Sequence, residues 1–406
     1  MRIAPNLRVR LPVLAIFAAL LMACVPGQAS AAQSFSTWVE KFWPTAKSAG
    51  ITRATYDRAF KGMTPDPKVL EAANFQPEYV KPVGEYVDRV VSDKRIAMGK
   101  QMLEENKALL DVLEKKYGVD RTIIIAIWGV ESNYGTQPGD MNVIRSLATL
   151  AYTGTKAKFA RQQLISALKI LQRGDISFEL MNGSWAGAMG HTQFIPTTYQ
   201  GYAVDHDGDG KRNIWGDVPD ALASTASYLK HSKWHAGETW GYEVALPKGF
   251  NPKKVSEKTM KTLGAWQKLG ITRVGGEAFP RPGDKATLYA PAGADGPAFL
   301  VLNNFRSILR YNQSNSYALG VGHLADRIKG YGPFVHPWPT DENHLSLDQR
   351  KELQQLLVAQ GLLEGDIDGV IGPATLEAVK TYQRKNGMGV DGFPSLTILE
   401  RLRKEG

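Results

Sequence analysis

Residues 123–135 read IIIAIWGVESNYG, and this stretch decides how the rest of the chain is interpreted. Asp120 is a good N-cap residue, the apolar run after it is dense, and Gly135 is a natural stop signal. The stretch therefore predicts a short helix that is buried on most sides. One carboxylate, Glu131, lies in the last turn of this helix.

The neighbours of Glu131 on the predicted helix determine its chemistry. Helical spacing places Glu131 on the same face as Ile124, Ile127 and Trp128. Apolar neighbours disfavour a charged carboxylate and raise its pKa, which a carboxylic acid needs in order to donate a proton near neutral pH. The alternative is a helix-terminal glutamate whose head group reaches water, and these residues alone leave both interpretations open.

The composition is that of an ordinary soluble globular protein, with 43% hydrophobic and 22% charged residues among 406. This length allows two or three domains with substantial cores. The net charge of +9 is mild and the basic residues are scattered, so we expect no nucleic-acid partner. Beyond residue 31, no apolar run is long enough to cross a bilayer.

Residues 1–31 form an export signal, with arginines near the start followed by an apolar run at 11–23. Two endings compete: the small residues at 29–31 predict cleavage after Ala31, whereas residues 21–24 resemble a bacterial lipobox with Cys24 as the lipidated residue. We favour cleavage after Ala31 and a periplasmic protein, the alternative being an outer-membrane lipoprotein anchored at Cys24. Cys24 is the only cysteine, so neither ending leaves a mature chain with a disulfide.

Outward from the central helix, the chain divides into helical segments, one β segment and a tail. Helical patterns cover residues 34–117, 142–150, 159–172, 305–311 and 317–328. Short apolar runs between Gly/Pro turns predict a small β insertion over residues 240–303. A Pro-rich linker at 333–344 then leads to a separate domain of three short helices at 345–406.

Residues 183–202 read GSWAGAMGHTQFIPTTYQGY, which we do not expect to be helical. Glycines at 183, 187 and 190 allow close backbone approach, and Gln193 supplies an uncharged hydrogen-bonding group. Uncharged polar groups and aromatics among glycines suit a sugar, and residues 310–318 (RYNQSNSYA) offer the same groups. The alternative is a packed loop whose polar groups are satisfied within the protein.

Residues 205–220 read DHDGDGKRNIWGDVPD and open like an EF-hand calcium loop, with carboxylates at alternate positions. Position twelve of that pattern is Gly216 rather than the usual bidentate glutamate, and Asp217 or Asp220 would have to replace it. The alternative is an Asx-rich turn that caps a helix at 221–230. The candidate calcium ligands are Asp205, Asp207, Asp209, the carbonyl of Lys211, and Asp220.

Three separated stretches together resemble the lytic murein transglycosylases of the membrane-bound B type. They are GVESNYG, then GSWAGAMGHTQFIPTTY with the Asp-rich loop, and then RYNQSNSYALGVGHLADRI. The tail sequence DGVIGPATLEAVKTYQRKNG resembles the three-helix peptidoglycan-binding domain found on bacterial wall enzymes. The two resemblances cover nearly all of residues 35–402.

The resemblance implies a mainly α fold: a lysozyme-like helical catalytic domain at 32–332 with the small β insertion. It implies cleavage of the β-1,4 bond between N-acetylmuramic acid and N-acetylglucosamine by a monomer acting on peptidoglycan strands. By the same resemblance Glu131 is the catalytic acid, and the Asp-rich loop lies where some members hold calcium, although the reaction requires no cofactor. The residues that would line the sugar cleft are Ser184, Gln193, Tyr228, Tyr311, Asn312 and Tyr317. One departure is that Thr155 and Lys156 stand where the family usually has two arginines.

The implied mechanism needs only one carboxylate. A glycosidase normally uses two, about 5–5.5 Å apart for retention or about 6.5–9.5 Å apart for inversion. Only Glu131 occupies a suitable position in the matching motifs. The substrate's N-acetyl group can stabilise C1 while the C6 hydroxyl closes a 1,6-anhydro ring. Simple hydrolysis by a muramidase, or a non-catalytic wall-binding protein with a degenerate cleft, are the alternatives.

Overall fold

The computed structural model describes residues 34–73, 82–153, 156–250, 259–293, 296–339, 345–390 and 392–405. The predicted signal region with Cys24, and Thr155, lie outside these described residues, as does the end of the predicted linker at 340–344. The described chain is mainly helical with one two-stranded and one five-stranded sheet, which confirms the predicted fold class. No helix in the described ranges is both long and apolar enough to cross a membrane.

The first part of the chain, as far as it is described, consists of helices and one pair of short strands that lie on either side of two of these helices. Strands β1 (Met141–Asn142) and β2 (Asn182–Gly183) pair antiparallel. The helices are α1 (Phe35–Ser48), α2 (Arg53–Phe60), α3 (Pro67–Ala73), α4 (Val83–Val90), α5 (Asp93–Glu105), α6 (Lys107–Tyr117), α7 (Arg121–Ser132), α8 (Val143–Thr153), α9 (Ala157–Arg173), α10 (Pro196–Tyr202) and α11 (Val218–His231).

Helix α7 is the predicted central helix. Its N-cap is Asp120, whose Oδ1 accepts the backbone N–H of Thr122 at 2.9 Å. The helix ends at Ser132, earlier than the predicted Gly135, because Asn133 already adopts the left-handed conformation with φ of 48°. Asparagine tolerates this region better than most residues, so it can cap a helix in place of glycine.

Two hydrophobic cores meet beside α7. The first surrounds α7 itself, where Ile124, Ile125 and Ile127 have no exposed surface. Burying each such side chain contributes about 1.5–3 kcal/mol. The second core surrounds α8 and α9. Tyr311 packs against both cores, so it marks their junction.

The predicted β insertion is confirmed as a five-stranded antiparallel sheet in the order β4-β6-β7-β3-β5. Its own small core centres on Trp266. The sheet leads into the two helices that complete the site. These elements are β3 (Gly241–Ala245), β4 (Met260–Thr262), α12 (Leu263–Lys268), β5 (Thr272–Arg273), β6 (Lys285–Tyr289), β7 (Ala298–Val301), α13 (Asn303–Tyr311) and α14 (Asn315–Lys329).

The tail contains the three predicted helices around a separate core, namely α15 (Leu347–Ala359), α16 (Pro373–Lys385) and α17 (Leu396–Glu405). The described part of the predicted linker is packed on the preceding domain rather than free. Phe334 stacks on buried His323 with ring centroids 3.7 Å apart, and the ring of Trp338 covers Gly84 of α4. These aromatics fix the chain path despite its prolines.

Candidate active site

Glu131 lies in the last turn of α7, with its carboxyl group facing α14. The hydroxyl of Tyr317, near the start of α14, donates to Glu131 Oε1 at 2.5 Å. Burial raises the pKa of Glu131 from its usual value of 4.5 to about 7, while the hydrogen bond from Tyr317 acts in the opposite direction. Glu131 is only partly exposed, so the structure favours the apolar-pocket interpretation over a carboxylate that reaches freely into water. A group with this pKa can both give and accept a proton near neutral pH.

Tyr311, at the end of α13, stands beside this carboxyl group. Its hydroxyl donates to the Thr192 carbonyl at 2.7 Å. Burial, and next the negative charge of Glu131, raise the pKa of Tyr311 well above its usual value. Tyr311 therefore remains a neutral hydrogen-bonding phenol at the junction of the two cores.

An aromatic cluster supports Tyr311. The rings of Tyr228 and Tyr311 meet edge to face at 5.0 Å, and Phe194 lies 5.7 and 5.6 Å from them. The hydroxyl of Tyr228 donates to the carbonyl of Arg310. Asn312 follows directly, in extended conformation at the C-cap of α13. The structure thus brings together Tyr228, Tyr311, Asn312 and Tyr317, which come from α11, α13 and α14.

The glycine-rich stretch is a tightly packed loop that approaches the same region. A Cβ on Gly183 would lie 2.0 Å from the Ala188 carbonyl, and one on Gly190 would lie 2.4 Å from the Ile214 carbonyl. No other residue fits at either position. The prediction of a non-helical segment holds as far as Ile195. It is wrong for the last seven residues, which form α10, because Pro196 has the fixed φ that suits the first turn of a helix.

The two polar side chains predicted in this loop are held by its backbone. Gln193 has a φ of 50°, and its amide nitrogen donates to the carbonyls of Pro138 at 2.8 Å and Gly190 at 2.9 Å. Both amide hydrogens are thereby used, so the side-chain oxygen is the group that Gln193 can offer to a sugar hydroxyl. Ser184 Oγ accepts the Ala188 N–H at 3.0 Å, so the Ser184 hydroxyl hydrogen is the donor that it can offer.

In the Asp-rich loop, one carboxylate oxygen each from Asp205, Asp207 and Asp209 lies within 4.8 Å of the others. Oxygen donors of this kind suit a hard cation such as calcium, so the trio fits the predicted metal. Each of the three also accepts backbone N–H groups of the loop, such as the N–H of Lys211, which donates to Asp209 Oδ1 at 2.7 Å.

Asp220, the further carboxylate that we predicted as a metal ligand, lies outside this trio and contacts both ends of the loop. Its two oxygens accept the backbone N–H groups of His206 at 2.6 Å and Asn213 at 2.7 Å, which ties the ends of the loop together. Asp217 caps α11 by accepting the N–H of Asp220 at 2.8 Å, so the helix begins before the predicted residue 221. The capping-turn interpretation therefore holds for this end of the loop, while the trio is a separate cation-binding candidate.

Sequence reasoning missed His191, which lies within the quoted glycine-rich stretch. The indole Nε1–H of Trp128 donates to His191 Nδ1 at 3.1 Å, and the two rings are inclined by only 18°. Trp128 belongs to α7, one turn before Glu131. No sequence signal pairs these two residues, because they are far apart in the chain and the contact depends on how the loop packs.

Comparisons with known proteins identify the families that the two parts of the chain resemble. The sequence profile of the family described as Transglycosylase SLT domain matches residues 34–326, and that of a peptidoglycan binding domain matches residues 346–402. Membrane-bound lytic murein transglycosylase B of Escherichia coli (strain K12) is 34% identical over 220 residues. That alignment covers 52% of this chain and spans 58% of the length of the E. coli protein.

Two crystal structures are also similar. SltB3 from Pseudomonas aeruginosa in complex with NAG-anhNAM-pentapeptide is 50% identical, with a TM-score of 0.86 over 91% of this chain and 100% of that one. Slt35 from E. coli in complex with calcium is 25% identical, with a TM-score of 0.61 over 73% of this chain and 92% of that one.

Proposed function

Since the chain belongs to the transglycosylase SLT domain family, which confirms the resemblance drawn from its sequence, we propose that it is a lytic transglycosylase of peptidoglycan. The enzyme cleaves the β-1,4 bond between N-acetylmuramic acid and N-acetylglucosamine and leaves 1,6-anhydromuramoyl ends. The observation that carries the proposal is the carboxyl group of Glu131, whose pKa burial raises to about 7 beside a tyrosine donor. The similar SltB3 structure holds an anhydro sugar, which supports this product.

Glu131 transfers one proton between two oxygens of the substrate. In its protonated form it gives that proton to the bridging oxygen as the bond from this oxygen to C1 of muramic acid breaks. The carboxylate then takes the proton of the C6 hydroxyl while that oxygen bonds to C1. No water is consumed, and ring closure is favoured because both reacting groups belong to one sugar. The hydrogen bond from Tyr317 stabilises the intervening carboxylate.

The surrounding residues orient the sugars. Tyr228 and Tyr311 are partly exposed and offer ring faces, while buried Tyr317 acts through its hydrogen bond to Glu131. Ser184, Gln193 and Asn312 offer uncharged hydrogen-bonding groups. The donor and acceptor available at Ser184 and Gln193 complement a substrate that carries hydroxyl and acetamido groups. With Lys156 in place of one family arginine, binding of the peptide or lactyl carboxylates is weaker than in relatives that carry both arginines.

The Asp-rich loop is the candidate site for a structural calcium ion. Asp205, Asp207 and Asp209 would supply carboxylates. The backbone carbonyl of Lys211 and the carboxylate of Asp220 are the further predicted ligands. The calcium complex of the similar Slt35 supports this assignment. The ion would neutralise the carboxylates and stabilise the loop, and it takes no part in the reaction.

Thermal unfolding tests the calcium site. Ligand binding to the native state alone stabilises it by RT ln(1 + [L]/Kd), about 2.7 kcal/mol at a hundredfold excess over Kd. We expect millimolar calcium to raise the Tm of chelator-treated protein, and Asp205→Ala and Asp209→Ala to abolish this rise. An unchanged Tm on adding calcium would show that the three aspartates only accept backbone N–H groups of the loop and bind no calcium.

The remaining parts of the chain place the enzyme on its substrate. The tail at 345–406 binds murein, in line with its family profile, and the predicted linker at 333–344 separates it from the catalytic domain at 32–332. The protein acts as a monomer in the periplasm after cleavage behind Ala31, or else from a lipid anchor at Cys24.

Digestion of purified sacculi tests the proposal. We expect the protein to release soluble muropeptides, and Glu131→Gln to release almost none while it still sediments with the sacculi through the tail. Release at the wild-type rate by this variant would remove Glu131 from its role. If the wild-type protein bound sacculi without releasing anything, the non-catalytic alternative would hold.

A further inference from the structure

His191 joins the glycine-rich loop to the end of α7 that carries Glu131. Its ring lies directly over Gly135, where an added Cβ would approach His191 Cε1 to 2.4 Å. Its backbone carbonyl accepts the hydroxyl of Ser132 at 2.9 Å, and its N–H donates to the Ile214 carbonyl at 2.8 Å. Ser132 is the residue after Glu131. The two backbone hydrogen bonds of His191 therefore fix its position relative to the end of α7.

The side chain of His191 adds a contact with Trp128 that depends on its protonation state. The indole Nε1–H donates to His191 Nδ1 at 3.1 Å, so Nδ1 must carry no proton and the neutral ring holds its hydrogen on Nε2. Burial lowers the pKa of His191, which favours this neutral form. A hydrogen bond with the Trp215 backbone and the charge of Asp217 act in the opposite direction but are smaller.

Trp128 is held between two rings. It meets Tyr134 edge to face at 5.7 Å, and its ring is inclined by only 18° to that of His191, whose centroid is also 5.7 Å away. Only 4% of its surface is exposed. Because residues three apart on a helix are neighbours, the indole forms part of the apolar wall beside Glu131. Burial is the main cause of the raised pKa of Glu131.

We propose that His191 is a positioning residue for the reaction, whose neutral ring holds the Trp128 indole against Glu131 and so keeps water away from the carboxyl group. This inference rests on the proposed function of Glu131. Other groups that face Glu131 are Tyr317 from α14 and Tyr311 from α13, and both remain neutral. Loss of the His191 ring would therefore act on Glu131 through Trp128 and hydration rather than through a change of charge.

His191→Ala and His191→Asn test the inference as a pair, because the Asn side-chain oxygen can replace Nδ1 as an acceptor. We expect His191→Ala to lower kcat by about tenfold to hundredfold, the range that small misplacements near a reacting group produce, with little change in KM. The alkaline limb of its pH–rate profile should move to lower pH, because a hydrated Glu131 loses its proton more readily. His191→Asn should restore most of the wild-type kcat and most of the wild-type position of the alkaline limb.

An indole signal gives a readout that does not require activity. In protein labelled with ¹⁵N-tryptophan, the Nε1–H resonance of Trp128, assigned by its loss in Trp128→Phe, should shift in His191→Ala and return towards the wild-type position in His191→Asn. This readout separates failure of the inference from failure of the proposed function, which Glu131→Gln tests independently.

A second buried histidine provides the matched control. His323 on α14 is 6% exposed and stacks on Phe334. We expect His323→Asn to lower the Tm without moving the pH–rate limb or the Trp128 resonance. An unmoved limb and an unmoved Trp128 resonance in His191→Ala would overturn the inference. So would equal effects of His191→Asn and His191→Ala on both readouts.

Discussion

The two ends of α14 each involve a buried carboxyl group with nearly the same acidity. At the N-terminal end, Tyr317 donates to Glu131, and at the C-terminal end Asp326 accepts the Trp240 indole N–H at 2.9 Å. Burial raises the pKa of both groups to about 7. A raised pKa therefore reports burial at both ends, and it does not by itself identify a catalytic acid.

The surroundings distinguish the two carboxyl groups. Glu131 adjoins two tyrosines and a glycine-rich loop, all uncharged groups that suit a sugar. Asp326 lies beneath Trp240, close to the ion pair between Lys329 and Asp120, which also caps α7. Asp326 thus belongs to the packing of α14 on α7. The proposed catalytic role of Glu131 therefore depends on its neighbouring groups more than on its acidity.

The largest expected effect is a difference in activity between variants at the two ends of α14. Glu131→Gln and Asp326→Asn both replace a buried carboxyl group by an amide of equal size. Since general acid–base catalysis by one group contributes about 10²–10⁴-fold, and Glu131 acts twice, Glu131→Gln should lose at least the upper part of that range. Asp326→Asn should retain activity within about threefold when the folded fraction is taken into account. Rates of muropeptide release from sacculi provide the measurement.

Circular dichroism of both variants supplies the control for folding. A loss of activity in folded Asp326→Asn as large as that in Glu131→Gln would show that the surroundings do not distinguish the two ends.

The next effect sharpens the comparison by removing each donor. Tyr317→Phe deletes the hydrogen bond that lowers the pKa of Glu131, so the alkaline limb of the pH–rate profile should move to higher pH. A hydrogen bond to a charged group contributes about 1.5–3 kcal/mol, so the rate should fall by about tenfold to hundredfold. Trp240→Phe deletes the donor to Asp326 and should leave the limb in place. If the limb moved in Trp240→Phe but not in Tyr317→Phe, the group that titrates in the pH–rate profile would be Asp326 and not Glu131.

The last expected effect concerns stability, not the catalytic rate, at the Asp326 end. Folding raises the pKa of Asp326 from its usual value of 3.8 to about 7. Between pH 3.8 and about pH 7, Asp326 is therefore protonated in the folded state and ionised in the unfolded chain. The contribution to stability is therefore complete below about pH 4 and is lost as the pH rises to about 7. Glu131 contributes a slope of the same sign, so the difference between variant and wild type is the useful quantity.

Denaturant unfolding at a series of pH values measures that difference. Asp326→Asn should gain stability relative to wild type by at most about 1.4 kcal/mol per pH unit over this window. The gain should stop above about pH 7. A constant difference between the two proteins from pH 4 to pH 8 would show that Asp326 is not protonated in the native state.

The local features of α7 could be predicted from the sequence, since the N-cap, the apolar run and the carboxylate lie within a few turns of one another. The β insertion and the three tail helices were likewise visible as patterns of apolar residues and turns. By contrast, Glu131 and Tyr317 are 186 residues apart, and periodicity carries no information about such a contact. Only the family resemblance placed Tyr317 in the site.

One wrong prediction and two unforeseen contacts have physical causes. The glycines at 183–190 obscured the helix start at Pro196, although proline at the first helical position was a usable signal. The two backbone N–H groups that Asp220 accepts could not be predicted either, because they depend on how the loop folds. The prolines after residue 332 predicted a linker but gave no sign that Phe334 and Trp338 pack their rings against the preceding domain.

The masses of the muropeptides that the wild-type protein releases from purified sacculi test the central claim most directly. If Glu131 takes the proton of the C6 hydroxyl and that oxygen attacks C1, every new end is a 1,6-anhydromuramoyl group. Each product is then lighter by one water than its hydrolytic counterpart and resists borohydride reduction. Reducible products that carry the additional water would contradict this account and identify the protein as a muramidase.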